Sequence, residues 1–117
     1  MKIKDIKTLL DAKVDCGEAF FEKDVNSACG CDMMSDVLRY VKDQAVLLTG
    51  LVNPQVINTA EMMDMVCIVF VRSKHPTPEM IALAEENGIV VMESDLRLYE
   101  ACGRLYAGGL AGNCPTA

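Results

Sequence analysis

Two cationic side chains and the sole histidine of this 117-residue chain fall within four positions, as Arg72-Ser73-Lys74-His75. With 17 acidic against 11 basic residues and a formal charge of -6, the chain is otherwise acidic, so this cluster stands out. Guanidinium, ammonium and hydroxyl donors held close to a helix start suit a phosphate or a carboxylate. Thr49, Gly50, Asn53 and Ser94 fall at equivalent places after neighbouring apolar runs. The expected ligand-binding set is therefore Thr49, Gly50, Asn53, Arg72, Ser73, Lys74, His75 and Ser94, with an anionic small molecule as ligand. The competing reading is a merely solvated loop, the usual fate of charges between a strand and a helix.

Other chemistry finds less support. Imidazole can act as a general base or a phosphoryl acceptor near neutral pH, but a base needs an oriented partner. The sequence has no Gly-x-Ser-x-Gly, no Gly-x-x-x-x-Gly-Lys-Ser/Thr and no His-Glu-x-x-His. No catalytic residue or cofactor is assigned, and the chain is not expected to be an enzyme. The six cysteines are Cys16, Cys29, Cys31, Cys67, Cys102 and Cys114. Cys29 and Cys31, two apart on extended chain, can face one way and share a metal, with Cys16 as a third ligand. A structural zinc usually shows two paired ligand sets and an iron-sulfur cluster a denser run, so the main expectation is no metal and free thiols. Cys67 and Cys102 read as core.

The elements that position these residues come from apolar periodicity. Ala45 to Thr49, Val66 to Val71 and Ile89 to Met92 are short continuous runs rich in β-branched residues, which predicts strands covered on both faces. Asn53-Pro54 opens a helix bearing Val56, Ile57, Ala60 and Met63, and Thr77-Pro78 opens another bearing Met80, Leu83 and Ala84, closed by Asn87-Gly88. Two successive βαβ crossovers result. After the third strand, Ser94 or Asp95 is expected to cap a helix carrying Leu98, Cys102 and Leu105, stopped at Gly108-Gly109. Upstream, the pattern predicts a helix at Lys4 to Leu10, a strand at Lys13 to Cys16 and a helix at Ser35 to Lys42 presenting Met34, Val37, Leu38 and Val41. Residues 17–33 give no clear pattern. The expected fold is an α/β layered sandwich, a small, mainly parallel sheet flanked by helices, in one domain over 1–110 with a flexible tail at 111–117. Ligands of such sheets bind beyond the carboxyl ends of the strands, which is what selects the residues above.

Composition sets the outer bounds. Apolar residues make up 51% and aromatics 5%, so the core must be built from Val, Ile, Leu, Met and Ala. No block of Lys or Arg exists to track a phosphate backbone, so nucleic acid is not an expected partner. No run approaches the roughly 20 apolar residues of a membrane span, and Met1 to Asp11 alternates Lys with Ile and Asp, so no membrane association and a cytoplasmic location are expected. Met62, Met63 and Met65 either fill core or form a soft contact surface; exposure of one or two would favour a homodimer.

The order Ile6 to Leu10, Lys13-Val14, Met34-Ser35-Asp36-Val37-Leu38, Ala45-Val46-Leu47-Leu48-Thr49-Gly50, the Val66 to Val71 strand and Pro78 to Leu83 resembles a DRTGG domain, over nearly the whole chain to about Gly109. That family is similar in fold to the N-terminal domain of HPr kinase/phosphorylase, and it occurs beside CBS domains and in the regulatory part of some phosphate acetyltransferases. The resemblance implies regulation or ligand sensing. Short stand-alone members are associated with iron-only hydrogenase systems of anaerobes, which implies a redox-enzyme partner and fits the Cys and Met usage; assembly of such an enzyme by protein interaction is the alternative function. The chain departs from the family at its naming motifs. Leu51-Val52 stands where Asp-Arg is expected, and Arg72-Ser73 where Gly-Gly is expected, so the ligand implied by those motifs is altered or absent here.

Overall fold

The computed structural model describes residues 1–40 and 44–112. In chain order the elements are α1 (Ile3–Leu9), β1 (Lys13–Cys16), a single 3-10 turn (Glu18–Phe20), β2 (Ser27–Gly30), α2 (Met34–Tyr40), β3 (Ala45–Thr49), α3 (Pro54–Met62), β4 (Cys67–Phe70), α4 (Pro78–Glu86), β5 (Val90–Glu93) and α5 (Leu98–Ala107). The five strands form one sheet in the order β1-β5-β4-β3-β2. β2 to β5 run parallel, while β1 lies antiparallel along β5 at one edge.

Side chains alternate across the sheet, and each face is covered by its own helices. Val46, Leu48, Val69, Val90 and Met92 pack with Ile3 and Ile6 of α1 and Ala101 and Leu105 of α5. Leu47, Ile68, Phe70 and Val91 pack with Met34 and Val37 of α2, Val56, Ile57 and Ala60 of α3, and Met80 and Ala84 of α4. All residues of β3 and β4 are buried, which explains why those runs are apolar without a period of two. The expected α/β sandwich with a mainly parallel sheet is what the chain forms.

The two central helices start where the capping pairs require. The Asn53 side chain accepts the Gln55 amide at 2.8 Å, and the Thr77 hydroxyl accepts the Met80 amide at 3.2 Å; a proline follows each cap. α5 differs from expectation. It begins three residues beyond Asp95, with Arg97 at the N-cap and no side-chain cap bond, because Ser94 is held elsewhere: its hydroxyl donates to Leu10 O at 2.8 Å and accepts Leu96 N at 3.2 Å.

Two features lay outside the sequence expectation. β2 adds a fifth strand, pairing Ser27 to Gly30 with Ala45 to Leu48. In β1 the pairing runs Lys13 to Glu93 and Val14 to Met92, then resumes at Cys16 to Val91, so Asp15 is an extra, bulged residue. The helix expected at Ser35 to Lys42 is seen as α2, and Val41 and Lys42 lie outside the described residues. Beyond α5 the chain folds back on β2: Ala28 N donates to Ala111 O at 3.1 Å, and Leu110 is buried. The remainder of the expected tail, 113–117, lies outside the described residues. Among the described residues no helix is long and apolar enough to cross a membrane.

Candidate functional site

The parallel strands β2, β3 and β4 are neighbours, so their C-terminal ends and the loops beyond them meet at one rim of the sheet. Asp32 comes after β2, Thr49 and Gly50 end β3, and Arg72 comes after β4. Asp32 Oδ1 accepts the Thr49 hydroxyl at 2.8 Å and the Gly50 amide at 2.8 Å, and Asp32 Oδ2 faces Arg72 Nη2 at 3.4 Å. The Thr49 hydroxyl is fixed in direction because its oxygen accepts Leu51 N at 3.2 Å, leaving its proton for Asp32. The Gly50 amide, acting against partial burial and joined by the Thr49 hydroxyl and the Arg72 charge, holds the Asp32 carboxyl below its ordinary value.

Gly50 leaves room for the side chain that lies on it. A Cβ at this position would stand 2.1 Å from Arg72 Nη2 and 2.6 Å from Nε, so the guanidinium rests directly against bare backbone. Arg72 reaches that place through unusual backbone. Arg72 and Ser73 are consecutive residues at φ of 59° and 58°, left-handed conformations that cost roughly 1–2 kcal/mol each for residues with a Cβ. Arg72 N donates to Leu96 O at 2.8 Å, Ser73 N to Ser94 O at 3.2 Å, and the Ser73 hydroxyl to Asp95 Oδ1 at 2.9 Å, so the turn is held from the β5–α5 loop. Left-handed backbone of the kind glycine favours is kept here without glycine.

The other expected residues divide. Lys74 and His75 are exposed on the same loop. His75 Nδ1 is paired with Glu93 at the end of β5. Asn53 is exposed, with its side-chain oxygen committed to the α3 cap. Ser94 is buried and bound to Leu10 and Leu96. Thr49, Gly50 and Arg72 thus come together, Ser73 and His75 are instead bound on the β5 side to Asp95 and Glu93, Lys74 is exposed between them, and the Asn53 and Ser94 side chains serve the scaffold.

Sequence reasoning missed Asp32 and Asp15. Asp32 lies in the stretch that showed no pattern, and only recognition of β2 would have placed it opposite Thr49. Asp15 sits in the bulge of β1 beside Glu93. Burial, and then the Glu93 carboxylate, raise the Asp15 carboxyl to about 7. Glu93 is pushed up by burial, yet hydrogen bonds from Asp15 and His75 hold it below its ordinary value, so below about pH 7 the proton of the pair resides on Asp15.

Among the described residues the thiols do not converge on a metal set. Cys16 on β1 and Cys29 on β2 occupy opposite edges of the sheet, so Cys16 cannot join Cys29 and Cys31. Burial, followed by the neighbouring Cys31 and Cys102, pushes the Cys29 thiol up to about 11, which disfavours the thiolate that a metal or an electrophile requires. Cys67 is fully buried, Cys102 half-buried, and Cys16, Cys29, Cys31, Cys67 and Cys102 are free thiols; Cys114 lies outside the described residues. Among the described residues no group of three or more His, Cys, Asp and Glu is placed to hold a metal ion.

The architecture is a DRTGG-like α/β fold. A solved counterpart is the regulatory region, CBS and DRTGG domains, of a pyrophosphatase from Clostridium perfringens, complexed with its activator diadenosine tetraphosphate. The TM-score is 0.71 at 16% sequence identity, over 89% of this chain and 45% of that one. The chain therefore spans less than half the length of that neighbour. No protein-family model matches the chain, and no curated protein matches it in sequence.

Proposed function

We propose that this chain is a non-catalytic, ligand-sensing domain that binds an anionic small molecule at the rim formed by Thr49, Gly50 and the Arg72 to His75 loop. The observation that carries the reading is the pair of left-handed residues Arg72 and Ser73. Backbone of that kind persists only where its surroundings enforce it, and it clusters where side chains must be aimed. Here it lays a guanidinium on Gly50, with Lys74 two residues further on. The neighbour, a regulatory region with a bound nucleotide activator, supports sensing as the role of such a fold. A thermal-shift screen of the protein against nucleotides, acyl phosphates, phosphorylated sugars and organic acids tests it, since a ligand preferring the folded state must raise the melting temperature. A saturable rise that disappears in Arg72→Ala and Lys74→Ala is the expected result; a ligand whose effect survives both substitutions removes the site.

A second reading, an interaction or assembly factor for a redox enzyme such as an iron-only hydrogenase, has its own support. Met62 is 67% exposed at the end of α3, and Tyr99 and Tyr106 are 86% and 73% exposed on α5, large apolar surfaces of the kind that contacts use. The same surfaces support a homodimer, which sedimentation would reveal, and co-purification would identify a partner. In either reading the chain acts as one domain over 1–110, in the cytoplasm.

A further inference from the structure

Asp32 occupies the place that an incoming anion needs. Three donors from two neighbouring strand ends converge on its carboxylate: the Thr49 hydroxyl and the Gly50 amide at 2.8 Å on one oxygen, and the Arg72 guanidinium at 3.4 Å on the other. Neutral donors on fixed backbone backed by an arginine are the recognition chemistry of a carboxylate or phosphate group. The geometry is that of a filled cradle, filled by the chain itself. Asp32 is held in the cradle through its side chain. It lies between β2 and α2, outside either element, and its side chain is 43% exposed, as is 46% of the Arg72 side chain. Its departure would strip the buried Thr49 hydroxyl of its acceptor unless another anion took the same place.

We infer that Asp32 is an internal occupant of an anion cradle made by Thr49, Gly50 and Arg72, and that a ligand's carboxylate or phosphate binds by taking its place. This rests on the anion-sensing reading above and gives it a mechanism. Because the free protein is largely self-occupied, apparent affinity is lowered by the fraction of molecules with an open cradle. Displacement releases the side chain of Asp32, two residues before α2, so arrival of the ligand changes the conformational freedom of the chain where it enters that helix. A ligand that replaces one set of contacts by another in this way biases a two-state element.

The test vacates the cradle and refills it. Wild type, Asp32→Ala and Asp32→Ala/Arg72→Ala are titrated near pH 7.5 with sodium acetate and with inorganic phosphate, against sodium chloride at matched ionic strength, reading melting temperature and the Gly50 amide resonance. The expected result is a saturable response in Asp32→Ala at least tenfold to the left of wild type, lost in the double variant. A larger response to acetate marks a carboxylate cradle, and one to phosphate a phosphoryl cradle. If folded Asp32→Ala responds to both anions no more than to chloride, or binds them more weakly than wild type, Asp32 is a fixed positioning group for Arg72 and the inference is overturned. Should Asp32→Ala fail to fold, Asp32→Ser is titrated in its place under the same criteria. The sensing reading fails on the ligand screen of the wild type, whereas this one fails on the vacated variant, so the two failures are separable.

Discussion

Asp15 in the bulge of β1 and Glu93 at the end of β5 form a carboxyl pair that keeps a shared proton up to about pH 7. The bulge breaks the alternation of β1 and brings the Asp15 carboxyl against its neighbour, with Oδ2 buried and without a hydrogen-bond partner among the described residues. Glu93 is the ionised member because it also meets His75. The site loop is thereby tied, through one imidazole, to a carboxyl that titrates near neutrality.

This shared proton makes stability depend on pH, with a fixed sign. Asp15 titrates at about 7 when folded against 3.8 ordinarily, so between those values the folded chain holds a proton that the unfolded chain has lost. Stability therefore falls as pH rises through this window and levels off above it. Glu93 and Asp32, both held below their ordinary values, act in the opposite sense but at lower pH. Lys13 and His75, which face the pair, favour ionisation of Asp15 and moderate the effect. Melting temperature measured from pH 5 to 8.5 should decline in the wild type and be nearly flat in Asp15→Asn. A flat wild-type curve would show that Asp15 is already ionised.

Backbone strain at position 72 should invert the usual ranking of glycine and alanine. Glycine ordinarily loses to alanine through its freer unfolded state. At φ of 59° the alanine Cβ costs roughly 1–2 kcal/mol, so Arg72→Gly should be more stable than Arg72→Ala by about 1 kcal/mol, with both losing anion binding. Urea denaturation of the two variants measures the difference, and an alanine variant as stable as the glycine variant would refute the strain.

Gly50→Ala should separate binding from stability. The new Cβ meets only the far end of the Arg72 side chain, at 2.1 Å from Nη2, and that chain can swing away. The expected cost in stability is below about 1 kcal/mol. Anion binding should fall as far as it does in Arg72→Ala, because the guanidinium loses its seat; calorimetric titration of whichever anion the screen returns reads this directly.

Asn53→Ala should do the reverse. Its side-chain oxygen caps α3 at 2.8 Å from Gln55 N, so removal costs about 1 kcal/mol of folding stability. Ligand affinity should not move. A loss of affinity with intact folding would return Asn53 to the binding set.

Much of the scaffold was legible because burial writes itself into the sequence. The runs Ala45 to Thr49, Val66 to Val71 and Ile89 to Met92 are apolar because β3, β4 and β5 are covered on both sides, and Asn53-Pro54 and Thr77-Pro78 mark where two helices begin. Parallel topology then placed Thr49, Gly50 and Arg72 at one rim. β2 was not legible, since Ser27-Ala28-Cys29-Gly30 has no β-branched residue and lies at an edge, half exposed. Asp32 was lost with it. The start of α5 was misplaced because Ser94, a good cap by type, is spent on Leu10, a contact 84 residues away that no local pattern encodes. The bulge at Asp15 likewise depends on pairing with β5.

The turn of the chain after α5 has a consequence for solution behaviour. β2 is the outer strand on its side of the sheet, and an open outer strand is a template for pairing with other chains. Ala111 takes the amide of Ala28, and the buried Leu110 beside it anchors the turn, so the segment works as a stopper against strand-to-strand association. Trimming the chain before Leu110 would leave the sheet itself intact and make it sticky.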